Sequence, residues 1–535
     1  MNRIKPKLHF FLEPFKENLE MLIILCLFAG AADGFFWTCH GFERAEINKI
    51  FGVYMFLHSF VLTYTIVCLC GLLKGYYLKI VRITLYLLGF LNLCIDTAIH
   101  IIMKCGFIKD FVAIIMGTNF NESKEFLGMY FNGKMVLFVV IISSLICFVH
   151  LFFSKKRNIP NNLAVCGFIL LIASATVIFA RKSENWDGVF LMKIKTCLEY
   201  KTTPDLHQFR KVYELTKKGN IPSNFVLIIG ESLNKEHMSL YGYKKKTTPL
   251  LDNLKNQESL YIFDQVKSSG IGTVPAFRYM MTSLTREKSE MDWTKEDFLL
   301  DIVKSAGYNI RWISNQASAG IHDNIVARLA ELSDSVVWCG TKHMGPSKVD
   351  LDEDVYEPVR SRRDSPDSLC FTVVHLCGNH ENFRSRYSTE YEKFKAADYY
   401  TKPDNQRQIL SEYDNSVLYN DWIVSSIIDM YKDKNTIVVY LPDHSLDIFN
   451  SSEDYAGHAR GNDPKSVEAG KNIPFIIYLS HKTKEQKPDL DSRLKKSLHN
   501  SFETENLIFT IMDLIGIDFT GNRNKEVAQK SLFAK

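Results

Sequence analysis

Glu231, Thr273, His380, Asp443, His444 and His458 are the residues of this chain whose types could do chemistry together. Most stand beside apolar runs that read as strands. Carboxylate, imidazole and hydroxyl groups suit a hard-to-borderline divalent cation such as zinc. Glu231 closes the run Phe225-Val226-Leu227-Ile228-Ile229 within Gly230-Glu231-Ser232, where a carboxylate can grip a metal from a rigid base or cap a helix. Asp443 and His444 close a second run after Pro442, and both can reach one ion as the chain turns. His458 follows in Gly457-His458-Ala459-Arg460-Gly461, whose glycines permit close approach. His375 sits inside a strand and reads as structural, whereas His380 at its end is the better ligand. In Lys267-Ser268-Ser269-Gly270-Ile271-Gly272-Thr273, three hydroxyls compete and the residues alone do not separate Ser268, Ser269 and Thr273. Such a hydroxyl becomes a nucleophile only when a metal or base lowers its pKa.

The elements that must hold these groups follow from the hydrophobic pattern. Unbroken apolar runs at 225–229, 369–376, 436–441 and 473–479 predict strands covered on both faces. Helices are expected between them, at about 295–305, 408–431 and 502–514. Strands alternating with helices give an α/β sandwich, and open sheets of this kind bind ligands at the carboxyl ends of their strands.

The first third of the chain is different. Apolar stretches at about 19–37, 52–73, 83–103, 134–153 and 162–180 each have the roughly 17–25 residues that a bilayer core requires. No cleavable signal peptide is expected, because the first stretch is too long for one. Basic clusters at the N-terminus, at Lys74, Lys79 and Arg82, and at Lys155 to Arg157 fall on one side, which should be cytoplasmic. An odd number of spans then carries the remainder outside. The segment 104–133 reads as an interfacial helix or a polar loop. The expected division is a membrane domain at 1–182, a linker with short helices at 183–222 and a catalytic domain at 223–535. A net charge of +4 without a long basic tract argues against nucleic acid as a partner. The chain has 12 cysteines, most within apolar runs, and lacks a disulfide-dense pattern.

The whole chain resembles the bacterial phosphoethanolamine transferases of the alkaline phosphatase/sulfatase superfamily. The resemblance is carried by Gly230-Glu231-Ser232, His237-Met238-Ser239-Leu240-Tyr241-Gly242-Tyr243, Thr247-Thr248-Pro249 and Asn315-Gln316. It continues through His375-Leu376-Cys377-Gly378-Asn379-His380, Arg386-Tyr387, Tyr413-Asp414-Asn415-Ser416, Asp443-His444 and Gly457-His458. It implies a five-helix transmembrane domain followed by an alkaline-phosphatase-like (sulfatase) α/β sandwich in the periplasm, anchored in the bacterial inner membrane. It implies Thr273 as nucleophile and Glu231, Thr273, Asp443 and His444 as zinc ligands, with His380 and His458 on the transferred phosphoryl group or a second zinc. Asn315 and Gln316 fall in a substrate-side motif, and Thr118 and Glu122 at positions that contact the ethanolamine end of the donor. Ile114 stands where those relatives have an asparagine, and Asn379 where serine is common.

The implied donor is phosphatidylethanolamine, and the implied acceptor is lipopolysaccharide or another periplasmic glycan. Few cysteines make the chain less like the disulfide-rich branch that modifies lipid A, so core heptose or Kdo is favoured over lipid A and periplasmic glucans. The rival within the superfamily is glycerol-phosphate transfer of the lipoteichoic acid synthase type. A phosphatase or sulfatase, and a catalytically dead scaffold, are further alternatives.

Overall fold

The computed structural model describes residues 18–39, 45–99, 133–153, 161–181, 204–289, 291–316, 325–340, 351–364, 369–460 and 463–534. The chain divides into two compact units, one built largely from the first 200 residues and one from Lys201–Lys535.

The first unit holds helices α1 (Leu19–Cys39), α2 (Ala45–Cys70), α3 (Gly75–Ala98), α4 (Gly133–Phe153) and α5 (Asn161–Arg181). Helix α1 packs against α2, α3 and α4, and α5 packs against α2. Gly89 of α3 lies so close to the Phe28 ring that a Cβ there would meet it at 2.7 Å. That small residue lets two helices approach, and Asn92 adds a hydrogen bond to the Phe28 carbonyl at 3.1 Å. Leu87, Leu91, Leu137, Ile141, Phe148 and Leu151 are exposed on the outside of this unit. Among the described residues, Gly75–Ala98 and Met135–Phe152 are long and apolar enough to cross a membrane.

Helix α3 begins at Gly75 rather than at the expected 83, so Lys79 and Arg82 lie within it and not in a loop. The chain turns at Gly71 to Leu73, and the next helix can start at once because long basic side chains at a helix end reach past its apolar surface. The segment 104–133, with Thr118 and Glu122, lies outside the described residues.

The second unit is built on strands β1 (Asn224–Gly230), β2 (Leu260–Phe263), β3 (Asn309–Ser314), β4 (Ser335–Trp338), β5 (Cys370–His375), β6 (Thr436–Pro442) and β7 (Phe475–Leu479). They form one seven-stranded sheet in the order β2-β7-β6-β1-β5-β3-β4. Strand β7 runs antiparallel to both neighbours, and the pairs β6-β1, β1-β5, β5-β3 and β3-β4 are parallel. Side chains alternate across β1. Phe225, Leu227 and Ile229 enter one core with α7 (Thr273–Met281) and α9 (Leu507–Ile515). Val226 and Ile228 enter another with α6 (Pro249–Asn256) and α8 (Asp404–Met430). This two-sided burial is why β1 is apolar throughout.

The strands at 260–263, 309–314 and 335–338 are not among the four expected from apolar runs. They are short, and β3 carries Arg311 and β4 is only half-buried, so neither reads as an unbroken apolar stretch. The C-terminal part of the expected linker also differs. Leu215–Lys217 pairs antiparallel with Ile517–Phe519, and Arg210 reaches Asp301 at 2.8 Å, which ties 204–222 to the α/β unit. Cys339 and Cys370 are buried in this unit, and Cys377 is half-buried.

Candidate active site

The parallel register brings the acidic residues together. Ile229 of β1 lies opposite Leu441 of β6 on one side and His375 of β5 on the other, so all three strands finish level. Gly230 pairs with Pro442, which makes Glu231 and Asp443 the first residues beyond adjacent strand ends. Backbone bonds continue the alignment: Asp443 donates to the Gly230 carbonyl at 3.1 Å, and Asn379 to the Glu231 carbonyl at 2.9 Å. The chain turns sharply at Ser232, whose φ is 59°. Gly378, at φ 54°, passes so near that a Cβ would meet the Glu231 nitrogen at 2.6 Å. Only glycine combines that conformation with that approach.

Glu231, Asp443 and His444 are buried, and each offers a ligand atom within 4.8 Å of the others. His444 Nδ1 faces the Ser445 carbonyl at 2.9 Å, which assigns it the proton and leaves Nε2 toward the acids. Nε2 is 3.0 Å from Glu231 Oε1 and 3.7 Å from Asp443 Oδ2. Asp443 Oδ1 accepts the His444 and Ser232 amides at 2.7 and 3.4 Å. Its Oδ2 is buried and accepts no hydrogen bond. A buried carboxylate oxygen without a partner is costly, and a cation would complete it, so the donor set fits a metal.

The electrostatics of the cluster agree. Burial, and then the Glu231 charge, push Asp443 up to about 8. Burial opposes a charged His444, but the Asp443 and Glu231 carboxylates overcome it and raise His444 to about 10. Burial likewise opposes the Glu231 charge, yet contact with His444 holds that carboxyl well below the usual range. Two acids cannot both ionise cheaply in this volume without positive charge.

Thr273 is the first residue of α7, after Gly272. Its hydroxyl lies 3.3 Å from Glu231 Oε2 and 3.4 Å from Oε1. The competing serines have other partners: Ser268 Oγ donates to the Asp443 carbonyl at 2.5 Å, and Ser269 Oγ accepts the Glu505 amide at 2.9 Å. Gly270 lets this loop fold against α7, since a Cβ there would meet the Ala276 nitrogen at 2.4 Å.

His458 comes from a short hairpin, Asp447–Ile448 with Ala456–Gly457. Its ring centroid is 5.1 Å from that of His444 and 6.1 Å from that of His380. Gln316 touches the cluster directly, donating to Glu231 Oε2 and to the Leu376 carbonyl at 3.3 Å each. Asn315 instead donates to Asp352 at 3.0 Å. His375 is fully buried with Nδ1 on Ser314 Oγ at 3.2 Å.

Two residues that the sequence reading passed over also belong here. Asp352 accepts the amides of Cys377 and Gly378 at 2.8 and 2.9 Å and so holds the loop leading to His380. No local signal marks it, because it acts on a loop 25 residues further along the chain. Glu381 Oε1 lies 2.7 Å from His458 Nδ1. Its one available signal is its place directly after His380.

Fold and site together define an α/β protein with a candidate metal centre at the carboxyl edge of its sheet. A family model described as Sulfatase matches residues 223–517, and the chain belongs to that family. It is 25% identical over 453 residues to phosphoethanolamine transferase EptC of Escherichia coli strain K12, covering 79% of this chain and 77% of that protein. The zinc complex of the C-terminal periplasmic domain of E. coli EptC superposes with a TM-score of 0.55 at 26% identity, covering 62% of this chain and 90% of that one. Lipooligosaccharide phosphoethanolamine transferase A (EptA) of Neisseria meningitidis, an integral membrane protein, shares the fold with a TM-score of 0.69. Identity there is 19%, over 95% of this chain and 97% of that one.

Proposed function

We propose that the protein is a zinc-dependent phosphoethanolamine transferase of the bacterial inner membrane, with its α/β unit in the periplasm. Its donor is phosphatidylethanolamine and its acceptor a lipopolysaccharide sugar, core heptose or Kdo. The observation that carries this reading is the Thr273 hydroxyl, 3.3 Å from Glu231 within the acid and imidazole cluster. The similarity to EptC of E. coli supports the group transferred, and the outward apolar side chains of the helical unit support a lipid environment.

Glu231, Asp443 and His444, with Thr273, would hold the zinc. When bound, it supplies Lewis acidity that lowers the pKa of the hydroxyl and offsets phosphoryl charge. Thr273 Oγ attacks phosphorus, the bond to the diacylglycerol oxygen breaks, and that oxygen leaves with a proton. The phosphoethanolamine-threonine that remains sits at the start of α7, where free amides and the helix dipole favour an anion. His380 and His458 face the transferred group and steady its charge, in a reaction whose barrier is largely one of charge placement. An acceptor hydroxyl then attacks in line, yields its proton, and Thr273 regains one. Two inversions leave phosphorus with net retention.

Intact-mass analysis after incubation with donor alone tests this. Wild-type protein should gain phosphoethanolamine on Thr273, and Thr273→Ala should gain none while keeping its melting temperature. An adduct elsewhere, or full activity in Thr273→Ala, refutes the assignment. A glycerol phosphate adduct would instead favour the lipoteichoic acid synthase type of chemistry.

A further inference from the structure

We propose that Glu381 is a positioning residue that fixes the ring orientation and tautomer of His458. One carboxylate oxygen does two things: Oε1 accepts the His458 backbone amide at 3.2 Å and faces ring Nδ1 at 2.7 Å. Glu381 is buried, so this grip is little diluted by water. A carboxylate only accepts, so Nδ1 must be the donor and Nε2 is the nitrogen left for the site.

Glu381 is itself held in place. Arg386 donates to the Glu381 carbonyl at 3.0 Å and to the His380 carbonyl at 3.2 Å, and Asn382 turns the chain at φ 63°. The residue therefore links two loops, the one after β5 that carries His380 and the hairpin that carries His458.

The backbone around His458 is secured by other contacts. Tyr455 Oη donates to the His458 carbonyl at 2.6 Å, the Arg460 amide donates to Ser466 Oγ at 2.9 Å, and Gly457 pairs with Asp447. Loss of Glu381 thus releases the ring without releasing the loop, and a variant there should fold.

The inference rests on His458 facing the transferred group, and Glu381→Gln tests it. An amide can turn its NH2 toward Nδ1, which permits the opposite tautomer at nearly unchanged volume. Nitrogen-15 NMR of zinc-loaded, histidine-labelled protein should show the Nδ1–H form of His458 in the wild type and a mixture in Glu381→Gln. The variant's kcat should fall about 10- to 100-fold with KM for the donor little changed, as losses of such orienting partners typically do. Zinc content and melting temperature should hold. In a His458→Ala background, Glu381→Gln should cost nothing further. An unchanged tautomer, or equal losses with and without His458, overturns the proposal. A wild type that forms no Thr273 adduct would refute the transferase reading instead, and the tautomer result would still decide this one.

Discussion

At the scale of single residues, the cluster is a trade between burial and charge. Asp443 and Glu231 directly follow the ends of adjacent strands, and the two cannot both be ionised at low cost until a cation or the His444 ring compensates. Glu231→Gln or Asp443→Asn should therefore lose most bound zinc and activity together, while a thermal melt without metal stays near that of wild type. Elemental analysis of purified variants checks this, and full zinc occupancy in either would refute the ligand assignment. The same shifts set a pH dependence. Without metal, Asp443 is raised from 3.8 to about 8 and His444 from 6.5 to about 10, so the folded protein holds these protons more tightly than the unfolded chain. Their contribution to stability is present at low pH and is lost as pH rises from about 4 to about 10. A zinc ion bound there would displace both protons, so its apparent affinity should rise with pH up to about 10 and binding should release protons. Calorimetry in buffers of different ionisation enthalpy measures that release; an affinity flat across this range would contradict the shifts.

At the scale of elements, the decisive feature is three parallel strands that end level. A one-residue slip between β1 and β6 would turn the Glu231 side chain away from Asp443. The loop after β5 must then pass over Glu231, and Gly378 makes that possible. Gly378→Ala keeps every proposed ligand, yet it places a Cβ 2.6 Å from the Glu231 nitrogen at a backbone angle that alanine resists. We expect it to weaken zinc binding at least about tenfold and to cost about 1–3 kcal/mol of stability. Competition with a zinc chelator and thermal melts read the two effects. Wild-type affinity in this variant would show that the loop does not set the position of Glu231.

At the scale of the whole molecule, a helical unit with an apolar exterior belongs to the same chain as the catalytic fold. For a donor confined to a bilayer, such an anchor raises the concentration that the site meets. Residues 204–535 produced alone should cleave a short-chain soluble donor at close to the full-length rate. They should transfer from phosphatidylethanolamine vesicles more than about tenfold more slowly than the full-length protein. Equal rates on vesicles would show that the helices contribute nothing to donor capture.

The sequence alone determined the layered α/β architecture, since buried parallel strands need unbroken apolar runs and those runs are local. It also marked Glu231, Asp443, His444 and His380, because polar groups directly after such runs stand out against them. It could not separate Thr273 from Ser268 and Ser269 without a family resemblance, and it gave no weight to Asp352 or Glu381. Their partners lie 25 and 77 residues away in the chain. Only the tertiary structure supplied those distances, because which hydroxyl or carboxylate reaches a site depends on strand register and loop closure, and neither is written in local composition.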